Sequence, residues 1–258
     1  MRRFLFAISM FSLVAAAGAA TAGNLPADKL AAVNKAAASF VAMAKGSAEN
    51  GKPPRQTDPQ VKALLDTVFD TGGLAALAPI GFSDLGGIND WSLKINDVGI
   101  IYVFAGTGIT DPSQMPNFTE QMRQKVGQNT INFGPEMGRY LDSSLQVTQA
   151  LVLSVMAEMS AKPDKFKGTQ VQRGLAEIRG GVKESLNGVM TSFLTPGLDP
   201  AWMRERLPAL AGIAPVAAKF LQASDRHELS ETAKQVAGSI SDATVKAGLV
   251  QFAKTIGT

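Results

Sequence analysis

The glycine-containing loop Gly106-Thr107-Gly108 comes nearest to a nucleotide-binding motif, because it follows the apolar run "GIIYVFA". Dinucleotide-binding loops require G-x-G-x-x-G and phosphate-binding loops require G-x-x-x-x-G-K-[ST], because their glycines let the backbone approach a phosphate group. Neither spacing occurs here, no lysine lies nearby, and Asp111 would repel phosphate. We therefore predict no nucleotide and no other cofactor.

A histidine-containing metal site would have to use His227, which is the only histidine of the chain. The stretch "HELSE" places His227 and Glu231 on one face of a helix, where both could be metal ligands. The zinc signature H-E-x-x-H nevertheless lacks its second histidine. Asp225, Glu228 and Glu231 also suit the positive end of a helix dipole. We favour a structural helix start, and His227 with Glu231 is the metal-ligand hypothesis.

Carboxylate catalysis is the enzyme chemistry that the sequence leaves open. Cysteine is absent, no serine lies in a G-x-S-x-G elbow, and no serine stands three residues before a lysine, so thiol and serine nucleophiles are not indicated. Glycosidase-like hydrolysis asks only for two carboxylates in a cleft. Glu158 lies near the end of the very apolar stretch 145–159, and it is the candidate catalytic acid.

Three glycines form a row that could shape a binding surface: Gly174, Gly181 and Gly188 recur every seven residues beside an apolar stripe. We name this row the glycine seam. Each interior glycine costs a helix about 1 kcal/mol relative to alanine, so three at one angular position indicate that something comes close. We favour a tightly packed neighbouring helix. The alternative is a groove for an apolar ligand or a partner's helix, with Met156 and Met190 as further lining candidates.

Proline and aspartate mark where the helices that carry these residues begin. Pro26 starts a first helix that extends to about Lys45. Asp58-Pro59 and Asp199-Pro200 each combine an N-cap residue with a proline in the first turn, and Gly134-Pro135 opens a long apolar helix. These signals predict at least four helix starts.

Later helices carry less regular signals. Pro208 and Pro215 fall inside a helical pattern and each removes a backbone donor, which predicts a break or a kink. Asp225 and Glu228 have the spacing of a capping box, which predicts one last helix that runs to Phe252.

The stretch 91–104 fits two structures. Trp91, Ile95, Val98 and Tyr102 recur at helical spacing, which predicts a helix that Gly106 ends. A β-hairpin is the alternative, because residues 91–95 alternate in polarity and residues 100–104 are rich in β-formers. We favour the helix because the surrounding chain has helical patterns.

Together these patterns predict an all-α, single-domain bundle of about eight helices, with a possible small β-hairpin at 91–104. The chain shows no regularly spaced strand patterns and no internal repeat. One helical domain is expected over residues 23–258. Within it the polar stretch 46–59, which we name the connector, joins the first two helices.

The first 22 residues predict an export signal: Arg2-Arg3 precedes an apolar run, and Ala20-Thr21-Ala22 fits a signal-peptidase site. Cleavage after Ala22 removes two of the 25 basic residues and leaves 23 against 22 acidic ones, a net charge of +1. No stretch of the remaining chain is apolar for the ~20 residues that a spanning helix needs. We expect a periplasmic or secreted protein without a transmembrane segment in the mature chain.

The favoured function is that of an exported, non-enzymatic helical protein of the bacterial envelope, with an apolar small molecule or a protein as its partner. No cluster of basic residues interleaves with aromatic ones, so nucleic acid is not an expected partner. Two alternatives stay open: a carboxylate-dependent hydrolase that acts on a cell-envelope polymer, and a structural or assembly subunit.

Overall fold

A computed structural model describes residues 25–72, 74, 84–109 and 119–258 of the 258-residue chain. These ranges contain nine α-helices, one short 3-10 helix at Pro163–Phe166 and no strand. The α-helices are α1 Ala27–Ala44, α2 Pro59–Phe69, α3 Leu85–Val103, α4 Glu120–Asn132, α5 Gly134–Ala161, α6 Thr169–Ser192, α7 Pro200–Phe220, α8 Ala223–Ser239 and α9 Ala243–Gly257. The predicted all-α bundle is confirmed.

The longest helix, α5, is the centre of the bundle. It packs against α3 and against α7, and its apolar stretch contributes Leu145, Ala150 and Val152 to the core, each at most 1% exposed. The helices α1 and α2 pack on each other and on α3, while α9 packs between α7 and α8. A helix that is apolar on nearly every face must pack against other elements on nearly every face. The neighbouring helices cover α5 in this way.

Aspartate side chains begin two of the helices that the sequence predicts. Asp58 Oδ1 accepts hydrogen bonds from the backbone N–H groups of Gln60 and Val61 at 2.8 and 3.4 Å. Asp199 caps α7 in the same way through Ala201 N–H at 2.8 Å. The predicted starts at Asp58-Pro59 and Asp199-Pro200 are therefore confirmed.

The stretch 91–104 is helical, so the hairpin alternative is wrong. It belongs to α3, whose Trp91, Ile95, Val98 and Tyr102 are all buried along one face. The β-forming residues 100–104 adopt a helix because tertiary packing overrides their local propensity. Gly106 takes the left-handed conformation just beyond the helix, with φ of 69°.

The predicted last helix is in fact two helices. The chain leaves α8 in an extended conformation at Ile240 (φ −94°, ψ 131°), and Asp242 then begins α9 by accepting a hydrogen bond from Val245 N–H at 2.9 Å. The prediction of one helix to Phe252 missed this cap because the apolar spacing continues across the break. In contrast, α7 runs unbroken through Pro208 and Pro215, whose side chains are exposed to solvent.

Candidate functional site

The glycine seam is divided by the structure into a buried part and an open part. Gly181 and Gly188 are buried, as expected for residues that a neighbour covers. Gly174 is half-buried, and a Cβ atom added to it would meet nothing within 4 Å. Burial therefore separates two of the three glycines from Gly174.

The two candidate methionines do not extend the seam equally. Met190 is fully buried, and it lies two residues beyond Gly188, which is about 200° around a helix of 3.6 residues per turn. Met156 belongs to α5, where it is half-buried and packs against the core. Met190 is consequently a core residue on another side of α6 from the glycines.

The ion pairs that Lys183 of α6 forms also lie away from the seam. Lys183 Nζ is 3.2 Å from Asp225 Oδ1 and 2.8 Å from Glu228 Oε2, which ties α6 to the start of α8. The hydrogen bond with Glu228 is the largest cause of the raised pKa of Lys183. Asp225 thus holds a neighbouring helix in place, and the N-cap position of α8 is taken by Gln222.

The candidate acid Glu158 is engaged by cations. Its Oε1 atom accepts a hydrogen bond from Lys162 Nζ at 3.0 Å and lies 3.6 Å from Lys165 Nζ. The Glu158 side chain is 12% exposed, whereas both lysine side chains are more than half exposed. The carboxylate therefore joins the last turn of α5 to the 3-10 helix that follows.

The candidate metal ligands lie on the first half of α8. His227 is exposed, and Glu231 Oε1 accepts a hydrogen bond from Lys234 Nζ at 2.8 Å. That hydrogen bond is the main cause of the lowered pKa of Glu231, and the nearby His227 contributes less. Among the described residues, no group of three His, Asp or Glu side chains is placed to hold a metal ion.

A buried carboxylate that the sequence did not single out lies at the start of α5. Glu136 is fully buried, and its Oε1 atom accepts hydrogen bonds from Arg55 Nε at 3.1 Å and from the backbone N–H of Gln56 at 2.9 Å. The second oxygen, Oε2, is buried and has no hydrogen-bond partner among the described residues. Glu136 therefore anchors the connector to the bundle.

Two further side chains hold the same part of the connector. The Tyr102 hydroxyl donates to the carbonyl of Pro54 at 2.8 Å, and Arg139 Nη2 lies 2.8 Å from Asp66 Oδ1 while its Nη1 donates to Gln56 at 3.4 Å. Burial raises the pKa of Tyr102 far above its usual value, and the negative charge of Glu136 adds to that effect. The connector is thus a docked part of the core.

A second group of polar side chains, which was not among the sequence predictions, joins α5 to α7 through the buried Arg206. Arg206 Nη1 donates to the carbonyl of Trp202 and to Glu205 Oε2, both at 2.7 Å. Arg206 Nη2 lies 3.3 Å from Asp142 Oδ2. Two atoms of the cluster, Arg206 Nε and Asp142 Oδ1, are buried without a hydrogen-bond partner in the described structure.

Close helix packing forces this arrangement. The guanidinium carbon of Arg206 lies 4.6 Å from the centre of the Trp202 ring, and Trp202 Nε1 donates to the carbonyl of Gly134 at 2.6 Å. Gly138 faces the guanidinium group, and a Cβ atom there would overlap it. The absence of a side chain at Gly138 therefore leaves room for the guanidinium group of Arg206 between α5 and α7.

Burial changes the acid–base behaviour of Asp142. Desolvation raises the pKa of its carboxyl to about 6, the charge of Arg206 opposes the rise, and the charge of Glu205 adds to it. A carboxyl group with this pKa exchanges protons near neutral pH, which general acid–base chemistry requires.

A sequence signal for this cluster does exist. Arg206 follows Trp202 by four residues and precedes Leu210 by four, so it occupies a position in an apolar stripe where a charge is unexpected. Its partner Asp142 is 64 residues away in the chain, as their numbers show, and no local pattern links the two.

No protein-family model matches this chain, and no curated protein or solved structure is significantly similar to it. Within the described ranges, no helix combines the length and the apolar character needed to cross a membrane.

Proposed function

We propose that this is an exported, non-enzymatic protein of the bacterial envelope that binds an apolar small molecule at the open end of the glycine seam. The observation that carries the proposal is Gly174, which is in line with two buried glycines but has free space beside it. The signal-like residues 1–22 support the proposed location.

A glycine inside a helix, such as Gly174, needs a physical reason. A glycine inside a helix costs about 1 kcal/mol relative to alanine. Burial offers a reason for Gly181 and Gly188, because a side chain there would need space. Gly174 has space for a side chain and no positive φ, so the described structure supplies no packing reason for it. A ligand that lies against the backbone would supply that reason.

The same helix offers a matched control for the test. Gly180 also has nothing within 4 Å of an added Cβ atom, but it lies on another side of α6 and is exposed. Leucine at either position improves helix propensity, so neither variant should lose stability. The two substitutions therefore differ in which side of α6 they fill.

We expect Gly174→Leu to displace the ligand and Gly180→Leu to leave it bound. Native mass spectrometry of each protein, purified from its own host, would show an apolar adduct on the wild type and on Gly180→Leu. An obstructing leucine costs about 1–3 kcal/mol, which corresponds to a roughly 5- to 150-fold loss of affinity.

Three other results would count against the proposal. Repeated adduct-free spectra of the wild type would exclude a retained small molecule. Equal occupancy in both leucine variants would exclude the seam as its site. A protein that co-purifies with the wild type and is lost from Gly174→Leu would assign the seam to a partner's helix instead.

A further inference from the structure

We propose that the contact between Asp142 and Arg206 is an acid-responsive clasp: when the surroundings acidify, Asp142 takes up a proton and the packing of α5 against α7 becomes more stable. The clasp is independent of the proposed ligand site on α6. It is an ion pair between two helices in which the Arg206 side chain is 6% exposed and the Asp142 side chain is 28% exposed.

In the clasp, the Asp142 carboxylate has few hydrogen-bond and ionic partners to offset the loss of its hydration. Asp142 Oδ2 has one contact, at 3.3 Å, whereas Arg206 Nη1 has two acceptors at 2.7 Å. Asp142 Oδ1 is buried with no hydrogen-bond partner in the described structure. A charged group that is neither solvated nor fully hydrogen-bonded raises the free energy of the folded state. Protonation of Asp142 at Oδ1 removes that desolvation cost.

The arginine has partners besides that carboxylate. The Trp202 carbonyl, the Glu205 carboxylate and the face of the Trp202 ring all contact the guanidinium group. When Asp142 becomes neutral, Arg206 keeps an anionic partner on its own helix. Protonation therefore neutralises a half-buried carboxylate without leaving the opposite charge unpaired.

The charged groups that act on Asp142 both come from α7. Arg206 attracts its negative charge, and Glu205 repels it. Burial is the largest influence, and it raises the pKa of Asp142 to about 6 from the ordinary 3.8.

The sign of the pH effect follows from these two values. Between about pH 6 and 3.8 the folded chain binds a proton that the unfolded chain does not yet bind. Acidification through this window therefore increases the free energy of unfolding, and the gain is complete below the unfolded-state pKa. Above the folded-state pKa both states are ionised, and the gain is absent.

The test compares chemical unfolding of the wild type and Asp142→Asn between about pH 4.5 and 8. Asparagine resembles the protonated carboxyl in size and charge. We expect Asp142→Asn to have the higher unfolding midpoint at pH 8, and the difference from the wild type to shrink as the pH falls through about 6. A difference that is constant with pH, or a variant that is less stable above pH 6, would overturn the proposal.

Asp66→Asn is the matched control with the opposite sign. The hydrogen bond from Lys62 is the main reason for the lowered pKa of Asp66, and Arg139 adds to it. Its stabilising contribution is present above the unfolded-state pKa of 3.8 and is lost as the pH falls through the folded-state pKa. This variant should therefore be destabilised by a constant amount around pH 6.

A second measurement does not depend on a variant that folds. The carboxyl carbon of Asp142 in the folded wild type, followed by NMR, should titrate with a midpoint of about 6. A midpoint at the ordinary value of 3.8 would overturn the proposal.

Discussion

Gly138 shows how one missing side chain permits a buried charge. An added Cβ atom at this position would overlap the guanidinium group of Arg206, which Trp202, Glu205 and Asp142 hold in place. The arginine cannot move without losing several contacts at once. The position is therefore restricted by packing rather than by backbone conformation.

Gly138→Ala should consequently reduce the free energy of unfolding by about 1–3 kcal/mol, the usual cost of overpacking. Chemical denaturation would measure the change. Gly86→Ala is the control, because nothing lies within 4 Å of a Cβ atom there and α3 should gain up to about 1 kcal/mol in helix propensity. Equal effects of the two substitutions would show that the guanidinium group is not confined.

At the scale of the helix, the Asn129 side chain of α4 caps the C-terminal end of α3. Its Nδ2 atom donates to the carbonyls of Val103 and Ala105 at 3.0 and 2.9 Å, and both bonds are buried. These carbonyls come at the end of α3, where intrahelical donors run out. A side chain from another helix thus completes the hydrogen bonding of the chain at this point.

Replacement of Asn129 by alanine should cost about 1–3 kcal/mol of stability, because two buried acceptors lose their donor. Unfolding by urea would detect the loss. Gln128→Ala provides the comparison, since the Gln128 amide bonds to Asn132 on the exposed side of the same helix. If both variants unfold at the same urea concentration, the cap contributes nothing measurable.

The helices themselves were largely predictable from local patterns. Asp58 and Asp199 cap helices through neighbours two or three residues away, so the sequence contains the whole interaction. The break at Asp242 was missed because an equally local cap lies inside a continuous apolar pattern. Local signals therefore identify helices well and divide them less well.

The buried polar clusters were not predictable in the same way. Glu136 contacts Arg55, and Arg206 contacts Asp142, across separations that only the folded chain closes. Asn129 reaches α3 in the same manner. Sequence periodicity reports which face of a helix is apolar, but it does not report which distant side chain lies opposite a charge.

At the scale of the whole molecule, the connector is part of the bundle. Gly51 and Gly106 pack closely through their backbones, and Gly106 N–H donates to the carbonyl of Ala48 at 2.9 Å. Tyr102 and Glu136 hold the next residues along. Its composition is polar and contains prolines, yet several of its backbone polar groups find partners in the core.

Tyr102→Phe should loosen the connector without unfolding the bundle, because it removes the hydroxyl that donates to Pro54. A net hydrogen bond is worth about 0.5–1.5 kcal/mol, so amide exchange near residue 56 should accelerate up to roughly tenfold. Hydrogen exchange with mass spectrometry would localise the change.

Tyr140→Phe is the control for that experiment. The Tyr140 hydroxyl donates to Asn96 Oδ1 at 3.1 Å, so its removal touches the interface of α5 with α3 and spares the connector. Faster exchange of the connector in both variants would indicate general destabilisation and contradict a specific role for Tyr102.

The positions of the two tryptophans give the protein an optical property. Trp91 donates to the carbonyl of Val68 at the end of α2, whereas Trp202 stacks on Arg206 between α5 and α7. Each indole therefore reports on a different packing boundary, and Trp202 lies beside the guanidinium group that Asp142 contacts. In variants that keep only one tryptophan each, intrinsic fluorescence can follow each boundary by itself, with no dye attached.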